Sequence, residues 1–327
     1  MRVGICSGQV YVCEMKYQQW LQDEIRFLAM TGYTPALFHQ LLPYFAPAHD
    51  AYLSVYELSG KRRKGLRRFV LYANSPLPTH AERLAFVLSY NKLNPIQQLH
   101  ADLFSLTQKQ CNQLVHGLNH ILQLALKEAQ VLPAQRQSAL SSQLTHLSTD
   151  GQGKDLFHDG TEREVPRPQD TDQQAENYSG KKKKHTVKNA IITTALCYIV
   201  FVSPTQAGKV HDKKIADTCY CIAQGFTLWQ DTGYQGYQPE GVIVRQPIKK
   251  PRGKDLTDEQ KVYNRLISSI RVRVEHAIGS VKRYRIVKDE CRLRKNSFVS
   301  SIFLTCAALH NFRVQRNPFN YNEIKLT

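Results

Sequence analysis

Apolar and polar positions follow a helical period over the first part of the chain and a mixed strand-and-helix pattern over the second. From Met15, "MKYQQWLQDEIRFLAM" reads as a short helix, followed by a loop near "PAHDAY" and a basic cluster, "GKRRKGLRRF". Residues 1–14 show no clear pattern, which makes Met15 a candidate translational start. Between His80 and Leu126 the period is helical again. "HAERLAFVLSYNKL" puts Leu84, Phe86, Val87 and Tyr90 near one face. Asn94 and Pro95 open a second helix, "NPIQQLHADLF", because proline suits a first helical turn. Thr107 caps a third, "TQKQCNQLVHGLNHILQLAL". A short helix, a tight link and a longer helix that starts with Gln108, Lys109, Gln110 and Asn112 is helix-turn-helix grammar. In that motif the start of the recognition helix meets base edges in the major groove. Three helices packed without nucleic acid would satisfy the pattern equally well. Residues 15–130 are therefore expected to be an all-α DNA-binding domain with its helix-turn-helix at about 80–126.

Residues 131–154 are Ser/Gln-rich and read as a linker with a little helix. "KDLFHDGTE" then gives a brief strand ending at Asp159, and "VPRPQDTDQQAENYSG" a polar loop. "KKKKHTVKNAIITTALCYIVFVSP" holds two β-rich segments. "DKKIADTCYCIAQG" reads as a crossover helix with Cys219 and Cys221 as packing residues, and "FTLWQDTGY" as the next strand. "GVIVRQPIKKPRGK" adds a strand and a basic exit. The following helix is capped by Thr257, with Asp258 and Glu259 in its first turn. "NSFVSSIFLTCAALHNFRV" is the last helix. Strands, crossover helix, strand and long helix predict an α/β domain over 155–327.

Composition narrows the partner. With 327 residues and 42% hydrophobic side chains the chain is long enough for two globular domains. Its formal net charge of +17 calls for a polyanion. No long basic amphipathic helix offers itself to a membrane surface, so the polyanion is nucleic acid. The runs "ALCYIVFV" and "FVSSIFLTCAALHNF" are too short or too interrupted to span a bilayer, and no secretory signal is apparent. Eight cysteines without a Cys-x-x-Cys pair exclude a zinc ribbon or a disulfide framework and fit a reducing cytosol.

The chemistry lies in three acids. Indexing the long helix at 100° per residue gathers Tyr263, Leu266, Ile267, Ile270, Val274, Ile278 and Val281 into a buried stripe. Glu275 stands one step round, with Asn264, Ser268, Arg271, Gly279 and Lys282 on its side. Alone, it would be an ordinary i,i+4 partner of Arg271, worth a few tenths of a kcal/mol. Asp231, at the end of "FTLWQ", would alone be a turn opener. Yet Asp159 precedes Gly160, and Asp231 precedes Thr232-Gly233, each at the end of an expected strand. If those strands are neighbours, the two carboxylates meet and the helix supplies the third. Such a trio repels itself unless a cation neutralises it, and Mg²⁺ suits an all-oxygen set. Two such ions activate an attacking oxygen and stabilise a leaving one in phosphodiester displacement.

"DGTEREVPRPQD", "YSGKKKKHTVKN", "GKVHDKKIAD", "DTGYQGY" and "RVRVEHAIGSVKRYRI", in that order from about Phe157 to Phe312, resemble a DDE transposase of bacterial insertion sequences, in the Harbinger-like branch. The segment from His80 to Leu126 resembles that family's amino-terminal domain. The resemblance implies an RNase H-like catalytic domain in which Asp159, Asp231 and Glu275 bind Mg²⁺ or Mn²⁺, with two ions expected. Asp212 in "VHDKK" is the rival acid but reads as the cap of the helix it precedes. His185, His211 and His276 become supporting or structural groups, since metal-bound water needs no histidine base. Lys181, Lys182, Lys183 and Lys184, like the run from Lys249 to Lys254, would follow DNA backbone or form plain exposed loops. Arg271 and Lys282, on the acid-bearing face, would contact phosphate.

The implied function is binding of terminal inverted repeats in double-stranded DNA, cleavage at the element ends and joining of the 3′-hydroxyl to target DNA. A homodimer or larger assembly on DNA would act in the bacterial cytoplasm at the nucleoid. The competing readings are a catalytically silent or domesticated DNA-binding protein, a helix-turn-helix regulator with an unrelated effector domain, and a metal-dependent nuclease without strand transfer.

Overall fold

The structure, a computed structural model, describes residues 3–6, 9–12, 16–64, 69–149, 153–293 and 296–321. The chain divides into two units: Met1–Leu132 with Arg283–Ile286, and Pro133–Lys282 with Val287–Thr327.

The first unit opens with β1 (Val3–Cys6) and β2 (Gln9–Val12), paired antiparallel with Val3 opposite Val12. This strand pair was not announced by the sequence, because four residues per strand are too few to establish a period. Met15 lies outside the described residues. Next come α1 (Lys16–Leu21), α2 (Glu24–Thr31) and α3 (Pro35–Val55). Helix α3 runs straight through "PAHDAY", where a loop was expected, and carries Pro43 and Pro47 inside it. Each internal proline costs about 3 kcal/mol. Against that, Phe38, Leu41, Phe45 and Leu53 are buried along one stripe, each contributing about 1.5–3 kcal/mol, so burial offsets the two prolines.

Helix α4 (His80–Leu93) begins with a capping box. Glu82 N donates to Thr79 Oγ1 at 3.2 Å, and Thr79 N donates to Glu82 Oε2 at 3.0 Å. Every residue from Glu82 to Asn91 is buried, so α4 is a central helix rather than one with a single buried face. Asn94, expected to start the next helix, ends this one in the left-handed region at φ 48°. Helices α5 (Gln97–Leu103) and α6 (Gln108–Glu128) follow. Their link contains Ser105 at φ 55°, so serine adopts the backbone that a glycine would adopt at lower cost.

The second unit begins where a linker was expected. Ala134 N donates to Val200 O at 2.9 Å, and helix α7 (Gln137–Thr149) buries Leu140 and Leu144. Two leucines four residues apart were enough to dock a helix whose composition reads as polar. A mixed sheet then forms from β3 (Asp155–Glu164), β4 (Tyr178–Ser179), β5 (Lys184–Thr194), β6 (Ile199–Val202), β7 (Gln206–Ala207), β8 (Thr227–Trp229) and β9 (Ile243–Arg245). Its order is β4-β5-β3-β8-β9, with β6 and β7 also paired to β5. Strand β3 is antiparallel to β5 and parallel to β8. The helices are α8 (Thr171–Asn177), in the segment read as a loop, α9 (Asp212–Cys219), α10 (Asp258–Val281), α11 (Arg285–Lys288) and α12 (Asn296–Arg316).

Strand alternation sorts this unit into layers. Leu156 and Leu228 join Leu140, Leu144, Ile215 and Tyr234 in one cluster. Phe157 and Trp229 join Ile267, Ile270 and Val274 in another. So α7 and α9 cover one face of the β3–β8 pair and α10 covers the other. The stripe read along α10 holds except at Leu266, which is exposed. Cys219 ends α9, but Cys221 lies beyond it and is exposed rather than packed in a helix. Among the described residues no helix is long and apolar enough to cross a membrane.

Candidate active site

The register of β3 against β8 builds the site. Phe157 pairs with Trp229, both facing α10. Two residues beyond that pair, Asp159 lies further along β3 and Asp231 just past the end of β8. Strand β3 does not end at Asp159, as the sequence suggested; antiparallel pairing to β5 carries it on through Gly160 to Glu164. Strand β8 does stop at Trp229. Asp231 then opens a 3₁₀ turn, Thr232–Tyr234, by accepting from Thr232 N at 2.7 Å. The turn-opening reading of Asp231 and a place at the site are both satisfied by one residue.

Helix α10 supplies a cation and a third acid. Arg271 Nη2 lies 3.9 Å from Asp159 Oδ2, and Nη1 lies 3.8 Å from Asp231 Oδ1. Arg271 was expected to contact DNA phosphate, an i,i+4 pair with Glu275 being the alternative. It is instead buried, with its guanidinium turned to the two aspartates. Glu275, one turn further on, is exposed. Burial pushes the Asp159 carboxyl up to about 6, opposed by Arg271 and the Gly160 N–H and reinforced by the negative charges of Asp231 and Glu275. The three acids read from the sequence are therefore electrostatic neighbours in the fold.

That shift has a measurable sign. A folded carboxyl at about 6 against about 3.9 unfolded contributes stability that is complete below about 3.9 and lost as pH rises through 6. The ionised group should then cost about 3 kcal/mol at most near pH 7.5. In chelator, Asp159→Asn is expected to gain on wild type in urea unfolding as pH rises from 4 to 7.5. A difference that does not vary with pH would contradict this.

Residues 158–311, which include all three acids, match the family model described as DDE superfamily endonuclease. That match covers somewhat under half of the chain and makes this segment similar to DDE superfamily endonucleases. Over 169 residues the chain is 29% identical to a protein of Microchaete diplosiphon named "Probable transposase for insertion sequence element IS702". The match covers 51% of this chain and 60% of that relative, so the chain spans somewhat under two thirds of its length. No solved structure matches.

A fourth acid in this segment was misread. The N-cap of α9 is His211, not Asp212, and no side chain caps that helix end. Asp212 instead accepts from Lys188 Nζ at 3.4 Å and lies against both acid-bearing segments. A Cβ added at Gly160 would stand 3.3 Å from its Oδ1, and one at Gly233 3.3 Å from its Oδ2. The signal was present in the sequence as a glycine one residue after Asp159 and two after Asp231. Burial, with the charges of Asp212, Asp159 and Asp231, pushes the Tyr234 hydroxyl far up, so it stays protonated.

The other expected contacts fall in different places. Lys181, Lys182, Lys183 and Lys184 are exposed, and Lys184 pairs with Glu164 at 2.7 Å. Lys282 is half-buried, with Nζ 3.5 Å from Glu162 O; burial and the charges of Lys182 and Arg163 hold its pKa below the ordinary lysine value. In the first unit, Gln108, Lys109 and Gln110 are exposed at the start of α6 and Asn112 is half-buried. Gln110 completes the capping box of α6, while Gln108 and Asn112 both donate to Gln97 Oε1, at 3.0 and 3.1 Å. His185 packs against Tyr178, and His276 hydrogen-bonds Tyr321.

The donor set of Asp159, Asp231 and Glu275, all carboxylate oxygen, fits a hard divalent cation. Arg271 neutralises the two aspartates from beyond hydrogen-bond distance, so charge for a cation to balance remains. The family's use of a divalent metal accords with this set. Among the described residues, one trio has its ligand atoms within 4.8 Å of one another: His49, Asp50 and His80, in the first unit. There Arg83 Nη1 donates to His49 Nε2 at 3.2 Å, which leaves the ring proton on Nδ1 to donate to Asp50 at 2.9 Å. His80 Nε2 meets the same oxygen at 2.7 Å. Hydrogen bonds close this cluster without an ion.

Proposed function

We propose that this protein is a transposase that binds the terminal inverted repeats of its own element, cleaves the DNA at those ends and joins the 3′-hydroxyl to target DNA. The observation that carries the reading is the meeting of Asp159 and Asp231 at Arg271, inside the segment that matches a DDE superfamily endonuclease. Glu275 lies one turn along the same helix and raises the Asp159 pKa. The mixed sheet covered on both faces is the arrangement expected of an RNase H-like domain in the Harbinger-like branch. The α5–link–α6 segment supports a helix-turn-helix, with Lys109 and the amides beside it at the recognition-helix start. The charge of +17 supports DNA as partner. Paired element ends call for a homodimer or larger assembly, working at the nucleoid in the bacterial cytoplasm.

Asp159, Asp231 and Glu275 would hold Mg²⁺ or Mn²⁺, as two ions. Bound there, the metal supplies Lewis acidity and an activated oxygen nucleophile at neutral pH. The chain's own residues do the rest. Arg271 holds the two aspartates together before the site is loaded. Lys282, the Lys181–Lys184 run and the Lys249–Lys254 run would draw the phosphodiester backbone towards the acids.

The test is a cleavage-and-joining assay with Mg²⁺ on labelled DNA carrying the flanking element ends, comparing wild type with Asp231→Asn. Joined products that vanish in the variant, while DNA binding survives, are the expected result. Cleaved but never joined DNA would select a nuclease, and binding without chemistry in either protein a silent DNA-binding protein.

A further inference from the structure

Beside Glu275, the side chain of His276 is exposed and lies among rings from the end of the chain. Phe319 and Tyr321, beyond α12, are half-buried. The planes of the three rings lie within 15° of parallel, with centroids 5.8 to 6.3 Å apart. Parallel rings also occur in the core of this unit, where Phe157 and Trp229 stack at 9°, while Tyr220 meets Phe201 and Tyr237 near edge-on, at 61° and 72°. The outer trio is also fixed in place. His276 Nδ1 hydrogen-bonds the Tyr321 hydroxyl. The Arg273 guanidinium lies 4.7 Å from the Tyr321 ring centre and is anchored by donating to Ala195 O at 3.1 Å. Arg313 lies 5.4 Å from the Phe319 centre and donates to Ser280 Oγ at 2.6 Å. Phe319 and Tyr321 remain partly exposed beside their guanidinium partners.

The geometry points to a platform on which His276, Phe319 and Tyr321 stack an unpaired nucleobase next to the acid cluster. This rests on the nucleic-acid reading above and adds a ligand class to it. A base within a duplex has both faces covered by its neighbours, whereas an unpaired base has a π-face to offer, and aromatic side chains take it whatever its identity. Arg273 also touches Phe157, 5.9 Å from its ring centre, two residues before Asp159. The platform therefore adjoins the same helix and strand that carry Glu275 and Asp159. Strand ends, where bases lose their partners, would be produced there.

Binding of the full-length protein, in chelator, to a labelled oligothymidylate and to an abasic oligonucleotide of equal phosphate count tests this without any cleavage. Wild type is expected to prefer oligothymidylate by about tenfold or more. The double variant Phe319→Ala/Tyr321→Ala should bring that ratio close to one and leave abasic binding unchanged. Tyr321→Phe, which keeps the ring and removes the hydroxyl, should retain the preference. His276→Ala, at an exposed helix position, should reduce the ratio and stands in for the double variant if that protein does not fold. Equal binding of the two oligonucleotides by wild type, or a ratio unchanged in folded ring-deleted protein, would overturn the platform while leaving the transposase reading intact. Binding to neither would instead count against nucleic acid as the partner.

Discussion

The Glu275→Gln protein is expected to cleave and join element-end DNA at least about a thousandfold more slowly than wild type, with an unchanged melting temperature. Glu275 is exposed and makes no hydrogen bond or ion pair among the described residues, so an isosteric amide should alter folding stability by no more than about 0.5 kcal/mol. The proposed chemistry, by contrast, depends on its charge. A thousandfold loss is about 4 kcal/mol of transition-state stabilisation, within what a metal ion supplies and what losing one of its carboxylates removes. A second signature comes from the neighbouring acid: Glu275 helps hold the Asp159 carboxyl high, so its neutralisation should lower the pH at which Asp159 titrates. Single-turnover cleavage, thermal melting and a pH series together check the prediction. A rate within tenfold of wild type in correctly folded protein would remove Glu275 from the site.

Features written in a few adjacent residues could be read directly. Thr257 starts α10 and Thr107 starts α6, because an N-cap is a local arrangement, although their Gln260 and Gln110 partners were not read as such. The apolar stripe of α10 and the strand preceding Asp231 followed from periodicity. Features set by long-range register could not be read. Whether β3 and β8 are neighbours decides whether Asp159 and Asp231 meet, and the sequence stated that only as a condition. The direction of Arg271 was misjudged for the same reason: i,i+4 spacing offered Glu275, whereas the fold put two aspartates within 4 Å. Asp212 looked like a cap because it precedes a helix. Its carboxylate lies by Gly160 and Gly233 only after α9 has docked on the sheet. The loop expected near "PAHDAY" is overridden by the buried stripe of α3, and Leu140 and Leu144 turned an expected linker into a packed helix. Local chemistry was legible where the chain decides alone, and was not where packing decides.

Trp229 joins these two levels, and Trp229→Ala should be the most destabilising change in the second unit. Its side chain is fully buried, stacked 9° from parallel with Phe157 and packed on Ile267, Ile270 and Val274 of α10. Its indole Nε1 donates to Asp155 Oδ1 at 2.7 Å. Truncation opens a cavity between sheet and helix and removes that donor, at a cost of about 3–5 kcal/mol. For a chain of this size that lowers the melting temperature by about 10 °C. The loss should not stop at stability. Trp229 ends β8 two residues before Asp231 and meets the same helix that carries Arg271 and Glu275, so it fixes the spacing of all three acids. Displacement of a catalytic group by about 1 Å costs on the order of a hundredfold in rate. Trp229→Ala should therefore lose cleavage activity well below its own melting temperature, whereas Trp229→Phe, which keeps a ring against Phe157, should recover much of both. Full activity in folded Trp229→Ala would show that the acids are held by β3 and α10 alone, and that the strand before Asp231 does not position it.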